Sequence, residues 1–171
     1  SVFMNPIKKS YIIDWSGPYS IESLKDHIYD GADCFYLISG LQKRQRGSDQ
    51  IQYCGITQRD ILRRLKDEFH HINEVPRDCQ IWMGRFANLA FRRNRENIEL
   101  VEHLIIFYEQ PYLNDKKTKT PPKRPVVVVN RWRDRNDNYR QRRIYPVQEV
   151  PDVIMWDGED FWAADRLIKD K

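Results

Sequence analysis

Residues 33–72 constrain the chain more than any other stretch, because the pattern of apolar residues changes within it. Asp33-Cys-Phe-Tyr-Leu-Ile-Ser39 and Ile51-Gln-Tyr-Cys-Gly-Ile56 are rich in β-branched and aromatic residues and predict two strands. The polar stretch between them carries Lys43, Arg44 and Arg46, so the pair predicts an antiparallel hairpin with a long positive tip. Thr57-Gln-Arg-Asp60 then matches a helix-start pattern, and Ile61, Leu65, Phe69 and Ile72 recur on one face, which predicts a helix over 58–72. Two strands followed by a helix place the chain in the α+β class.

The flanking sequence extends this frame. Tyr11–Trp15 reads as a short extended piece followed by a turn, and Ser20 caps a short helix ending near Tyr29. Pro76 closes the first helical region, and Gln80–Phe86 predicts a third strand. A second helix is expected over 95–109, with Ile98, Val101, Leu104, Ile105 and Tyr108 as its apolar stripe and Pro111 as its stop. A Lys/Pro linker over 115–125 leads to an apolar strand, Val126–Trp132. A further strand near Ile144–Val147 and a short helix over Glu159–Ile168 complete the expectation.

With 171 residues, 40% hydrophobic and 32% charged, the chain suits one compact domain with an appended extension. No apolar run approaches the roughly 18 residues of a membrane span, and the start SVFMNPIKKS lacks a secretory apolar stretch, so a cytoplasmic protein is expected. Cys34, Cys54 and Cys79 are odd in number and widely spaced, which favours reduced, buried thiols over zinc or a dithiol. The net charge of +4 is unevenly distributed: Asp115–Arg143 holds eleven Lys or Arg against three Asp, leaving the rest net negative. Such a segment attracts polyanions, since each neutralised phosphate releases condensed counterions. A solvated loop would have the same charge.

Several polar residues sit where apolar ones are expected, at a cost in free energy unless they are paired or used. Glu102 lies in the second helix with Ile98, Ile105 and Ile106 at i−4, i+3 and i+4. Arg64 borders the stripe of the first helix, where an i,i+4 pair with Glu68 is the ordinary reading. Tyr36 and Tyr53 fall on facing strands, where a cross-strand aromatic pair would explain them.

Taken in order, these elements resemble the core of the GIY-YIG nuclease family. Cys34-Phe35-Tyr36 stands for its first strand motif and Tyr53-Cys54-Gly55 for its second. Arg64-Leu65 stands for the helical Arg, and Glu102, with Pro111 and Asn114 nine and twelve residues later, for the helical Glu. The chain departs from the family in having Cys34 for the first glycine and a longer loop between the tyrosines. It also has one extra residue before Arg64, which leaves Arg63 as an alternative, and Glu68 where many relatives carry His or Tyr. His71 lies two turns beyond Arg64, with His70 beside it.

The resemblance implies a small three-stranded antiparallel sheet flanked by helices over 33–115, with an N-terminal extension, 1–32, and a basic C-terminal extension, 116–171, packed on that core. It implies an endonuclease in which Glu102 holds one divalent cation, Mg²⁺ or Mn²⁺. Arg64 forks onto the scissile phosphate, Tyr36 or Tyr53 acts as base, and Asn114 and His71 complete the site. Lys43, Arg44, Arg46, Arg131, Arg133, Arg135, Arg140, Arg142 and Arg143 are the candidate nucleic-acid contacts, with double-stranded DNA as the expected partner. A restriction or phage-defence enzyme is the first expectation and a structure-specific repair nuclease the second. The rival class is a nucleic-acid-binding module that does not cut.

Overall fold

The computed structural model describes residues 10–24, 34–57, 61–67, 70–92, 94–134, 136, 138–139 and 146–165. Its centre is the hairpin of β2 (Cys34–Leu41) and β3 (Gln50–Thr57), whose register sets Tyr36 against Gly55 and Ile38 against Tyr53. β4 (Arg77–Phe86) pairs antiparallel with the other side of β2. β1 (Ser10–Tyr19) then pairs antiparallel with β4 and parallel with β5 (Val126–Arg133), and β6 (Val153–Trp156) and β7 (Phe161–Ala164) follow antiparallel. The result is one seven-stranded mixed, curled sheet in the order β3-β2-β4-β1-β5-β6-β7.

This corrects the expected small three-stranded sheet flanked by helices. The three expected strands are one end of a larger sheet, continued by four more, and in the nearest two, β1 and β5, alternation buries one face. Tyr11, Ile13 and Trp15 point inward on β1, and Val126, Val128, Asn130 and Trp132 do so on β5. β1 tolerates Pro18 because its pairing with β4 shifts between Ser16 and Tyr19, the kind of irregularity at which proline is accommodated. The C-terminal extension therefore contributes strands to the same sheet as residues 33–115.

Helices are fewer and shorter than expected. α1 spans Ile21–Leu24, and residues 25–29 of its expected course lie outside the described residues. α2 spans only Ile61–Leu65. The expected helix does not continue through 72 because Asn73 Nδ2 takes the Asp67 and His70 carbonyls at 3.2 and 3.0 Å, and His70 caps a 3₁₀ turn at His71–Glu74. Residues 58–60 and 68–69, including Glu68 and Phe69, lie outside the described residues. The helix expected over 159–168 is β7 where it is described. Asp157 fixes a tight turn by accepting the amides of Glu159 and Asp160, both at 2.7 Å, and that turn folds β7 back onto β6. Of the strand expected at 144–147, Val147 instead begins a 3₁₀ turn, and 144–145 lie outside the described residues.

α3 (Arg95–Glu109) matches its expected bounds. Asn94 caps it by accepting the Asn97 amide at 3.2 Å, and Gln110 ends it in the left-handed region at φ 50° before Pro111. Its inner face, with Ile98, Val101, Leu104 and Ile105, packs with Phe35, Leu37 and Cys54 on one side of the sheet. The opposite face, with Cys34, Tyr36, Ile38, Ile81 and Met83, is covered by Leu24, Ile61, Leu65 and Ile72. β2 is thus buried on both faces. No helix is long and apolar enough to cross a membrane among the described residues. The three cysteines are free thiols.

Candidate functional site

The site begins with one close approach. Tyr36 is fully buried, and its ring crosses directly over Gly55 on the paired strand: a Cβ at Gly55 would lie 2.5 Å from both Cζ and Oη of Tyr36. Glycine at that position therefore lets the phenol lie flat against β3. The neighbouring Tyr53 ring is 5.9 Å away, centroid to centroid.

His70 meets the same hydroxyl. Its Nε2 is 2.8 Å from Tyr36 Oη, and its Nδ1 accepts the Ile72 backbone amide at 3.0 Å. An amide N–H can be accepted only by a bare ring nitrogen, so the single ring proton lies on Nε2 and His70 donates to the tyrosine oxygen. The neutral ring agrees with the direction of its acidity: burial, reinforced by Arg64 and His71, lowers its pKa to about 4. Burial pushes the Tyr36 phenol well above its usual range, the neighbouring Tyr53 adds to this, and the Arg64 guanidinium beside the hydroxyl pulls it back. Arg64, at the end of α2, acts on Tyr36, Tyr53 and His70 alike. His71 stands over Tyr53 at 4.8 Å between ring centroids and pairs with Glu74 at 2.8 Å.

The acidic side of the site comes from α3 at the β3 edge. Glu102 is buried, 8% exposed, and Lys117 Nζ lies 2.5 Å from its Oε1. Burial raises the Glu102 pKa, and Lys117 partly offsets the effect. Its charge reaches both Tyr53 and Cys54, whose pKa values are raised by burial first and by Glu102 second. Asn114 covers the outer edge of β3 by accepting from Cys54 N and donating to Cys54 O, both at 2.9 Å, and Leu113 N donates to Gln52 O at 2.8 Å. These bonds replace a missing neighbouring strand and fix the chain that leads from α3 to Lys117.

Tyr36, Tyr53, Arg64 and His70 thus come together on one sheet face, and Glu102, on the helix packed against the other face, acts on Tyr53 from the β3 edge. Their donor set holds one carboxylate, which suits a hydrated Mg²⁺ or Mn²⁺ that completes its shell with water and phosphate. Among the described residues no three His, Cys, Asp or Glu gather as a larger cage.

The basic candidates separate into two groups. Lys43, Arg44 and Arg46 stand on the β2–β3 loop, which the Arg77 guanidinium pins through the Gln42 and Gln45 carbonyls. Buried Gln52 ties the same loop by donating to Gly40 O at 2.8 Å and Gln45 Oε1 at 2.6 Å. Lys43 and Arg44 line a cavity of about 470 Å³ that also touches Glu74, the partner of His71. Arg131 is a bidentate partner of Asp14 at 2.8 and 2.9 Å, and Arg133 lies 4.3 Å over the Tyr139 ring. By strand alternation both project from the sheet face that carries Tyr36. Arg85, two residues beyond Met83 on β4, joins them there. Arg135, Arg140, Arg142 and Arg143 lie outside the described residues.

Sequence reasoning gave His70 and Lys117 no specific role and did not single out Arg85. The adjacent histidines offered no basis for choosing between them, and Lys117 is one of several lysines in a basic linker. Comparison of the chain with models of protein families, with curated proteins and with solved structures returned no match to any of the three.

Proposed function

We propose that the chain is a divalent-cation-dependent endonuclease that hydrolyses phosphodiester bonds of nucleic acid, with double-stranded DNA as its substrate. The observation that supports this reading is that Arg64 and Glu102 both act on Tyr53, the ring beside Tyr36, with the four residues in the chain order met in GIY-YIG nucleases. Packing alone has no need for a guanidinium beside two tyrosines and a buried carboxylate beside one of them.

In this reading Arg64 holds the scissile phosphate and stabilises the charge that builds on it. His70 donates to the Tyr36 oxygen and stabilises any anionic character on it, and the Tyr36 hydroxyl is hydrogen-bonded to Tyr53. Tyr36 takes the attacking water's proton as its own passes to Tyr53, whose hydroxyl proton leaves to solvent, so that both tyrosines end neutral. Glu102 would hold the cation, which on binding supplies neutralisation of the leaving oxygen. Duplex phosphates run along the face with Arg85, Arg131 and Arg133 and against the Lys43–Arg46 tip. Restriction or phage defence is the preferred biological setting, and structure-specific repair the alternative.

One observation favours a non-cleaving binding module: the Lys117 ammonium already neutralises Glu102. Incubation with mixed-sequence duplex DNA, with and without Mg²⁺, separates the readings on a gel. Mg²⁺-dependent cleavage by the parent and none by Glu102→Gln is expected, with DNA binding retained. A mobility shift without cleavage in any divalent ion overturns the enzymatic reading.

A further inference from the structure

We propose that Lys117 is a tethered cation occupying the Glu102 carboxylate in place of a divalent ion, so that ion binding and release of the Lys117 ammonium are a single event. The inference rests on the reading of Glu102 as the ion's ligand and adds what sets the affinity of that site.

The ion pair is built by its surroundings. Lys117 adopts φ 65°, a left-handed conformation that a lysine seldom takes unless the neighbouring chain enforces it. The chain is held on both sides. Upstream, Asn114 is locked to both backbone groups of Cys54. Downstream, the Gln110 side-chain amide donates to Thr118 O at 3.0 Å, and His103 Nε2 meets Thr120 O at 2.7 Å. Three anchors on α3 and β3 therefore fix the strap that carries Lys117 over Glu102. Both partners are largely withdrawn from water, the carboxylate side chain 10% exposed and the lysine 28%.

Burial makes the pair an obligate one. A buried charged carboxylate without a cation is strongly disfavoured, so at neutral pH Glu102 keeps Lys117 until another cation or a proton takes its place. A divalent ion on the same oxygen cannot tolerate an ammonium at 2.5 Å, and like charges so placed exclude one another. Linkage then requires reciprocity: whatever free energy Lys117 contributes to the ion-free protein is subtracted from ion binding. Lysine suits this exchange because it meets the carboxylate as a compact point charge rather than through a bidentate fork.

The test is a Mn²⁺ titration of the DNA-free protein followed by thermal melting, so that cleavage plays no part. Lys117→Met should melt lower than the parent without ion and reach half its Mn²⁺-induced stabilisation at a concentration at least about fivefold lower. Lys117→Arg, which keeps a cation on the strap, should stay near the parent. A second measurement uses the unmodified chain, which avoids any loss of folding in the variant: an amine-reactive reagent with peptide mass spectrometry, with exposed Lys123 as internal control. Labelling of Lys117 should rise on addition of Mn²⁺ and in Glu102→Gln without ion, and should not rise with NaCl at matched ionic strength. Unchanged Lys117 labelling, or an unchanged Mn²⁺ midpoint in a folded Lys117→Met protein, overturns the proposal. If Glu102→Gln binds Mn²⁺ as well as the parent does, Glu102 is no ligand and the functional reading falls with it. If Glu102→Gln loses Mn²⁺ while Lys117 responds to nothing, only the exchange is refuted.

Discussion

His70 donates its Nε2 proton to the Tyr36 oxygen across 2.8 Å because the Ile72 amide holds its Nδ1 as an acceptor. A protonated ring would set two donors against each other at Nδ1, so the same bond that fixes the tautomer also keeps the ring neutral. The Tyr36 oxygen is consequently an acceptor toward His70, and its own proton is directed elsewhere.

If Tyr36 moves the proton of the attacking water, Tyr36→Phe should lower turnover about 10²- to 10⁴-fold, the usual range for a positioned acid or base. His70→Ala should cause a smaller loss and move the rising limb of the pH–rate profile to higher pH, since the oxygen it supports becomes less acidic. His70→Gln keeps a donor at a similar reach and should recover part of the rate. Equal, small losses in Tyr36→Phe and Tyr53→Phe would return both rings to cross-strand packing.

Gly55 supplies a test of geometry alone. Alanine there places a methyl 2.5 Å from Tyr36 Cζ and Oη, and neither the buried ring nor the β3 backbone has a flexible end to yield. Gly55→Ala should cost about 1–3 kcal/mol in chemical denaturation. It should also lower turnover more than that decrease in folded protein accounts for. A fully active, stable variant would mean that Tyr36 does not need its present position.

The second helix was legible because its signals are local: Asn94, the stripe from Ile98 to Ile105, and Pro111 all lie in or beside it. The hairpin was legible for the same reason. β1 reads only as an extended piece, since its partners lie on β4 and β5 and Pro18 argues against a central strand. β7 is misread as helix because an acidic, aromatic stretch carries no periodicity to oppose one, and only the bonds made by Asp157 turn it back onto β6. At the site, order and spacing single out Tyr36, Arg64 and Glu102. They do not single out His70, because the break after α2 changes which of the two histidines turns inward.

Two buried groups give stability opposite pH dependences. His70, lowered to about 4, binds fewer protons folded than unfolded, so stability falls as pH drops from about 6.5 through about 4. Glu109, whose Oε1 has no partner among the described residues, is raised to about 7 by burial and by Glu149. It binds more protons folded than unfolded, so its contribution is complete below about 4.5 and is lost as pH rises through about 7. Each effect is at most about 3.5 kcal/mol, at about 1.4 kcal/mol per pH unit. Glu109→Gln should therefore steepen the rise in stability between pH 4 and 6.5 in urea melts, and His70→Gln should expose the opposite slope. Parallel pH–stability curves for parent and variants would refute both assignments.

The last expectation separates holding the duplex from cutting it. Arg85 and Arg133 project from the Tyr36 face, and Lys43, Arg44 and Arg46 from a loop that Arg77 and Gln52 hold in place. If these cations meet phosphates, Lys43→Ala, Arg44→Ala and Arg46→Ala combined should weaken duplex binding and flatten log affinity against log salt by roughly 0.9 for each phosphate no longer neutralised. Arg85→Ala should act in the same sense by about one phosphate. Arg131→Ala should differ, because it deprives half-buried Asp14 of a bidentate partner and its effect is expected in stability before affinity. Arg64→Ala should leave the slope nearly unchanged while abolishing turnover at saturating DNA, and Arg63→Ala should change neither greatly, since only Arg64 acts on the tyrosines. An unaltered slope in the triple variant would show that the tip faces solvent in the complex. A collapse of turnover at saturating DNA would place that tip within reach of the scissile bond.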